Sequence, residues 1–325
     1  MANTHDGFID YLKELDLTTT QEERLRTSRD ALLSRISAKF KKDGRKVPEY
    51  ESQGSYALDA QNRPLSDDFD LDQGVYLVHL DDAAALSVYD AFKLVRDAVE
   101  GHTTEPCPSK DTCVRVQYKA ADDGTPAHHI DLAIYRKFSD GRRHYAHLVH
   151  GWQPSDQKGF IQHYRGKVTD QSRAVIRTLK GWSDQNNGDK DAKLPSGFHL
   201  TVCVLECFKP AADRHDRAFL LTAEAILERM KAYNGGTGAA FKRPVVPGED
   251  IFASFNLMRR SHFIKKLEEA VNLARMAVNE TDDGRARRHW RKIFGDRFQA
   301  PEEIEEKSQS TWTAPAIIGS SGKSA

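Results

Sequence analysis

The run Phe69-Asp70-Leu71-Asp72-Gln73-Gly74-Val75-Tyr76-Leu77 reads as a β-strand with two acids set into an otherwise apolar pattern. Alternate side chains of a strand share a face, so Asp70 and Asp72 point one way and Leu71 the other. A second β-type run, His129-Ile130-Asp131-Leu132-Ala133-Ile134-Tyr135, carries a third carboxylate, and a neighbouring strand would bring Asp131 alongside the pair. Acids on one face of a strand interior are poor β design. Three converging carboxylates also repel one another unless something cationic neutralises them. Mg²⁺ does so readily, since it takes hard oxygen ligands and keeps room for substrate phosphates. Two such ions can clamp the attacking and leaving oxygens of a phosphoryl displacement. Upstream lies Gln53-Gly54-Ser55-Tyr56. Glycine there allows close backbone approach, and amides plus a hydroxyl offer donors to phosphate. The plainer readings are a solvated strand mouth and an ordinary strand-ending turn. The ordered set of three favours function over both.

Gln53-Gly54-Ser55-Tyr56, then Asn62-Arg63-Pro64, then Asp70-Leu71-Asp72-Gln73-Gly74-Val75-Tyr76 resembles the bacterial cGAS/DncV-like nucleotidyltransferases. In that family the Asp-x-Asp pair leads directly into a Gly-x-Tyr strand. Leu179-Lys180-Gly181-Trp182, Leu194-Pro195-Ser196-Gly197-Phe198 and Trp290 to Phe298 look like further counterparts, so the resemblance runs from about residue 10 to 300. Ala57-Leu58-Asp59-Ala60-Gln61 departs from it, lacking the Lys/Arg-Gly-Thr of many relatives.

The resemblance implies an α/β half followed by a helical half. A polymerase-beta-like nucleotidyltransferase lobe, with a mixed central sheet and helices, would pack on a C-terminal helical lobe. The expected division is residues 1–170, with N-terminal helices bridging both lobes, then 171–305, then a flexible tail at 306–325. Asp70, Asp72 and Asp131 would be catalytic and hold Mg²⁺, with Mn²⁺ as a substitute. By resemblance Asp131 would orient the attacking hydroxyl as general base or second-metal ligand. Gly54, Ser55, Lys180 and Ser196 would contact the triphosphate. The implied activity joins ATP, with GTP as a candidate second substrate, into a cyclic di- or trinucleotide that activates a separate effector in anti-phage signalling. Linear transfer to another acceptor, or a silent nucleotide-binding module, are the alternatives. The C-terminal tail, rich in small polar residues, resembles handles joined by a ubiquitin-transfer-like partner in several relatives; an unused end is the competing reading.

Composition narrows the partners. Lys plus Arg and Asp plus Glu are both 48, so no global basic field exists to hold long nucleic acid. Mean hydropathy is −0.64, and no apolar run approaches a membrane span. No basic region followed by an apolar stretch opens the chain, so a cytoplasmic location is expected. The four cysteines are few for a disulfide scaffold of 325 residues. Cys203 and Cys207 fall one helical turn apart in an apolar run and read as buried thiols. Zinc held by Cys107, Cys113 and His128 or His129 is open on residue type, although neither spacing is a common knuckle. His128, His129 and His199 otherwise read as structural, and Tyr76 as core.

Periodicity suggests a short helix over 7–17 with Phe8, Ile9, Leu12 and Leu15 on one side. A second follows an N-cap at Thr18-Thr19-Thr20 and buries Leu25, Ala31, Leu32, Ile36 and Phe40. Strands are expected at 47–53 and 69–78. A helix over 81–99 would use Ala84, Leu86, Tyr89, Phe92, Val95 and Val99. Residues 113–118 and 130–135 should form a hairpin turning at 122–126. From Ser172 onward the pattern is mainly helical, with Val175, Ile176, Leu179 and Trp182 on one face.

Overall fold

Thr18 starts the longest helix as the sequence suggests. In the computed structural model, which describes residues 2–66, 68–78, 86–120, 126–188, 192–246 and 248–302, its hydroxyl accepts from the Gln21 amide and the Gln21 side chain returns the bond. This reciprocal cap satisfies two otherwise orphaned donors. The helix, α2 (Thr19–Lys42), buries Leu25, Leu32, Ile36 and Phe40, while Ala31 faces solvent. Before it, α1 (His5–Glu14) buries Phe8 and Tyr11, with Leu15 at its C-cap. Tyr11 thus takes the inward place expected of Ile9, which is half-buried.

Among the described residues six strands form one mixed sheet: β1 (Glu49–Ser52), β2 (Phe69–Val78), β3 (Cys113–Tyr118), β4 (His128–Lys137), β5 (Arg143–His147) and β6 (Gly151–Pro154). β1 runs antiparallel to β2, and β2 runs parallel to β4. The other edge of β4 carries β3 along its first half and β5 along its second, both antiparallel. The expected hairpin of residues 113–118 and 130–135 is the β3–β4 pair; most of its turn lies outside the described residues. β5 and β6 were not legible as strands. The helix after β2 is α4 (Val88–Val99), capped by Ser87, whose hydroxyl accepts from the Asp90 amide. It buries Phe92, Val95 and Val99, but Tyr89 is 65% exposed. Ala84 lies outside the described residues.

The remaining helices are α3 (Gly54–Ala57), α5 (Gln157–Lys167), α6 (Asp170–Asn186), α7 (Gly197–Cys207), α8 (His215–Asn234), α9 (Leu257–Asn279) and α10 (Asp283–Phe294). Buried apolar side chains gather in two clusters. One lies between α2, α4 and the sheet, around Leu25, Phe69, Leu71, Phe92, Ile130 and Leu132. The other joins the C-terminal helices, where Trp182, Phe219, Phe263 and Trp290 are packed. Phe8 and Tyr11 of α1 belong to this second cluster, as do Phe160 and Tyr164 of α5. α1 is pinned there at its start. The Thr4 hydroxyl donates to the buried Asp216 carboxylate and accepts from the Trp290 indole. All four cysteines are buried free thiols. Among the described residues no helix is long and apolar enough to cross a membrane. The tail from 303 onward lies outside the described residues.

Candidate active site

β2 delivers its two acids to one face, half-buried, with Phe69 and Leu71 sealed into the core behind them. The parallel register sets Asp72 directly beside Asp131 and Asp70 beside His129. Antiparallel β3 then sets Arg115 opposite Asp131. Asp72, Asp131 and Arg115 therefore form one row across three strands. Arg115 grips Asp131 with both arms: Nε donates to Oδ1 at 2.8 Å and Nη2 to Oδ2 at 2.7 Å.

A cavity of about 660 Å³ opens over Asp70 and Asp72. Gly54, Ser55, Lys180 and Ser196 line the same cavity, so six of the seven residues singled out in the sequence meet there. Asp131 stands beside it, engaged with Arg115. The β1–β2 pairing positions Gly54: the Gln53 amide donates to Asp72 O at 3.0 Å, and the chain then turns at Gly54 with φ +60°. Lys180 reaches in from α6, and its ammonium donates to the carbonyl of Ala60. That carbonyl belongs to the segment lacking the family's Lys/Arg-Gly-Thr, which instead crosses toward the helices with Leu58 and Ala60 buried.

The electrostatics of the floor are unbalanced. Burial pushes the Asp70 and Asp72 carboxyls above their ordinary range, and the neighbouring carboxylates add to the rise. Burial pulls Lys180 down to about 8, opposed by the charge of Asp70. His129 Nδ1 lies 3.1 Å from Asp68 Oδ1. Burial, and then the Asp131 charge, pushes the Cys113 thiol up to about 12, so it keeps its proton. Among the described residues no three His, Cys, Asp or Glu side chains converge in the manner of a metal-holding cluster. That holds for Cys107, Cys113, His128 and His129, and equally for Asp70, Asp72 and Asp131, the last of which is held by Arg115. His128 instead pairs with Ser28 and stacks between Phe69 and Tyr118.

Ser196 is the N-cap of α7, but its side chain accepts from no backbone amide of that helix. Its Oγ lies 2.7 Å from His199 Nδ1, and His199 Nε2 lies 2.9 Å from the Ile251 carbonyl. A carbonyl only accepts, so this arrangement assigns the proton to Nε2 and makes Ser196 the donor to Nδ1. Burial holds His199 down at about 4, keeping the ring neutral.

Sequence reasoning missed the opposite wall. Tyr145 of β5, Phe198 of α7 and Arg243 line the cavity too, and the Arg243 guanidinium sits 4.4 Å from the Phe198 ring centre. Phe198 was noted only as part of a motif, and nothing local marks Arg243. It also missed Arg115, whose alternation within β3 could have shown which face it takes but not which residue it meets.

Residues 48–135, from β1 to the middle of β4, match the nucleotidyltransferase domain described as cyclic GMP-AMP synthase DncV-like. Residues 48–135 thus carry a DncV-like nucleotidyltransferase domain. One curated relative, a cyclic AMP-AMP-AMP synthase of an Acinetobacter species, is 29% identical over 140 residues, 43% of this chain and 40% of that protein. The match thus spans well under half of that relative. Solved structures share the fold over most of the chain. Vibrio cholerae DncV, a cyclic AMP-GMP synthase in complex with a linear pppA(3′,5′)pG intermediate, superposes with TM-score 0.75 at 16% identity, covering 91% of this chain and 96% of that one. Bradyrhizobium diazoefficiens CdnG in complex with GTP gives TM-score 0.74 at 15% identity, covering 91% and 97%. The expected polymerase-beta-like lobe followed by a helical region is this shared fold.

Proposed function

We propose that the chain is a nucleotidyltransferase that joins ATP, with GTP as a second candidate, into a cyclic oligonucleotide. The observation that carries this is the meeting of Gly54, Ser55, Asp70, Asp72, Lys180 and Ser196 around one cavity in a family of such synthases. The cavity is lined by Gly54, Asp70, Asp72 and Tyr135 on the sheet side and by Phe160, Lys180 and Ser196 on the helical side; a division near residue 170, with the N-terminal helices bridging both units, is part of the same proposal.

Asp70 and Asp72 suit a divalent cation: two hard carboxylate groups on one face, each destabilised first by burial, with the charge of Asp131 adding at Asp70 and the charges of Asp70 and Asp131 adding at Asp72. Mg²⁺ bound there, or Mn²⁺ in its place, would neutralise charge on the phosphates and lower the cost of ionising an attacking hydroxyl. This chain's own residues do the rest. Ser55 and the turn at Gly54 offer donors to triphosphate oxygens. Lys180 supplies a point charge from the helical side. Ser196 can donate to phosphate only by giving up His199, so its first role is to keep that wall in place. A ribose hydroxyl held over Asp70 and Asp72 attacks the α-phosphate. The new P–O bond forms as the bond to pyrophosphate breaks, and the hydroxyl proton passes to a nearby carboxylate or water. Repeating the step on the linear product closes a ring. A downstream effector of that ring, a role in anti-phage signalling and conjugation of the tail belong to the same proposal and rest on family resemblance.

Incubating the purified chain with labelled ATP and GTP in Mg²⁺, followed by phosphatase, tests it. A phosphatase-resistant product is expected. A wholly degradable product would mean linear transfer instead, and no product with any nucleoside triphosphate would overturn the enzyme reading.

A further inference from the structure

We infer that Arg115 is a latch on Asp131: it occupies both oxygens of the third carboxylate and must release at least one before Asp131 can share a cation with Asp70 and Asp72. The inference rests on the reading that this cleft binds a divalent cation with its nucleotide. It names a positioning residue for that site, acting through Asp131.

Three observations carry it. The first is register. Asp72 and Asp131 are partners across β2 and β4, and Asp131 and Arg115 are partners across β4 and β3. Partners across a pair of strands project to the same face, so Arg115 lies on the far side of Asp131 from the β2 acids. The second is geometry. The two bonds of 2.8 and 2.7 Å make a fork-to-fork pair that engages both carboxylate oxygens. Such planar, charge-assisted pairs are the strong ones. The Asp131 side chain is only 12% exposed and that of Arg115 26%, so water screens the pair little.

The third is the asymmetry among the three acids. Among the described residues, neither Asp70 nor Asp72 forms an ion pair, whereas Asp131 is paired on both oxygens. Lys180, the other nearby cation, donates to the Ala60 carbonyl and leaves both β2 acids facing the cavity. A first cation on Asp70 and Asp72 therefore meets no competitor on its ligands. A second cation that uses Asp131 meets a guanidinium of like charge on the same oxygens. The two repel across a few ångströms in a poorly screened site, so binding the second ion requires displacing one arm of Arg115. The row thus orders the two events: the nucleotide's first ion enters freely, and Asp131 joins only when a second ion outcompetes the fork. A permanent structural pair, with Asp131 never meeting an ion, is the competing account.

Mn²⁺ titration followed by electron paramagnetic resonance, on the purified full chain with a non-hydrolysable ATP analogue, counts ions and reads their affinities apart from turnover. Wild-type protein should bind one ion tightly and a second weakly. Arg115→Met keeps length without charge and should tighten the second ion at least about tenfold, with the first ion changed less than about threefold. Arg115→Lys keeps the charge but loses the fork, and should fall between. Asp131→Asn should abolish the second ion in the wild-type and Arg115→Met backgrounds alike. Circular dichroism melting checks folding, and Arg115→Lys serves as the deciding variant if Arg115→Met does not fold. A second ion bound no more tightly in the folded Arg115 variants than in wild type overturns the latch and leaves the first ion standing. Failure of wild-type protein to bind any ion overturns both the latch and the functional reading beneath it.

Discussion

Gly54 lies so close to Asp72 that a Cβ built on it would meet Asp72 Oδ2 at 1.9 Å. Its φ of +60° is also one that side-chain-bearing residues avoid. Two constraints therefore fix glycine here, and both tie the Gly-Ser turn to the acidic strand. Gly54→Ala should expel the Asp72 carboxylate from its position. Backbone strain alone costs about 1–2 kcal/mol, and the displaced ligand costs cation affinity besides. Nucleotide synthesis should be lost, and Mn²⁺ should bind the first site at least about tenfold more weakly. An alanine variant with unchanged ion affinity would separate Gly54 from the metal site.

Replacing the acids of β2 should stabilise the fold while ending catalysis. Burial and the neighbouring charges raise Asp72 from 3.8 to about 7. Between those values the folded chain holds a proton that the unfolded chain has released. Stability therefore falls as pH rises through this window, and the loss is complete above it. Asp70→Asn with Asp72→Asn removes the titration. Without divalent ions, the double variant should melt higher than wild type at about pH 8 and equal to it near pH 4. Equal melting at both would show that the acids are not in conflict, and synthesis by the double variant would remove them from the chemistry.

What the sequence disclosed follows from which interactions are local. β2 is expected at 69–78 and found at Phe69–Val78, because alternation and flanking residues define a strand without help. The Thr18 cap was legible because its partner, Gln21, lies three residues away. The convergence of Gly54, Ser55, Asp70 and Asp72 needed only two adjacent strands, and Lys180 and Ser196 came from family resemblance. The Arg115–Asp131 pair was not legible: it depends on the β3–β4 register, and most of the connecting turn offers no fixed count. Tyr89, expected inward by helical period, is exposed because the buried stripe of Ala91, Phe92, Val95, Ala98 and Val99 continues back to Val88 and leaves position 89 on the outer side. Arg243 stands against Phe198 across 45 residues of chain, and no periodicity reports such a meeting.

Lys180 should make nucleotide binding sensitive to alkaline pH. Burial lowers it to about 8, so its charge is present below that value and lost above it. If the ammonium meets the triphosphate, affinity for a non-hydrolysable ATP analogue should be flat below about pH 8. Above it, affinity should weaken by up to roughly tenfold per unit. Lys180→Arg keeps its charge and should remove the dependence. Lys180→Ala should cost about 1.5–3 kcal/mol, seen in calorimetric titration as weaker binding at neutral pH. Wild-type binding that stays constant to about pH 9.5 would place the phosphates away from Lys180.

Gln53 is the hinge pin beneath the phosphate turn, and its removal should be costly. The residue is 3% exposed, and its side chain bridges two stacked tyrosines. Nε2 donates to the Tyr76 hydroxyl at 3.0 Å, and the Tyr135 hydroxyl donates to Oε1 at 2.9 Å. Gly74, beneath it, leaves the room: a Cβ there would stand 2.3 Å from Gln53 Nε2. Gln53→Leu would strand two buried hydroxyls, each costing about 1–3 kcal/mol, so denaturant unfolding should show a loss of about 2–6 kcal/mol. The loss belongs to the network and not to glutamine alone. Adding Tyr76→Phe and Tyr135→Phe to Gln53→Leu should therefore recover most of it, the non-additivity expected of groups that share partners. The leucine keeps the backbone bond to Asp72, so the effect on activity comes from loosening the turn at Gly54 once the tyrosine network is lost, and the single variant should lower kcat more than it raises KM. A Gln53→Leu loss below about 0.5 kcal/mol, or no recovery in the triple variant, would show that the tyrosines find other partners and that Gly54 is held by its strand alone.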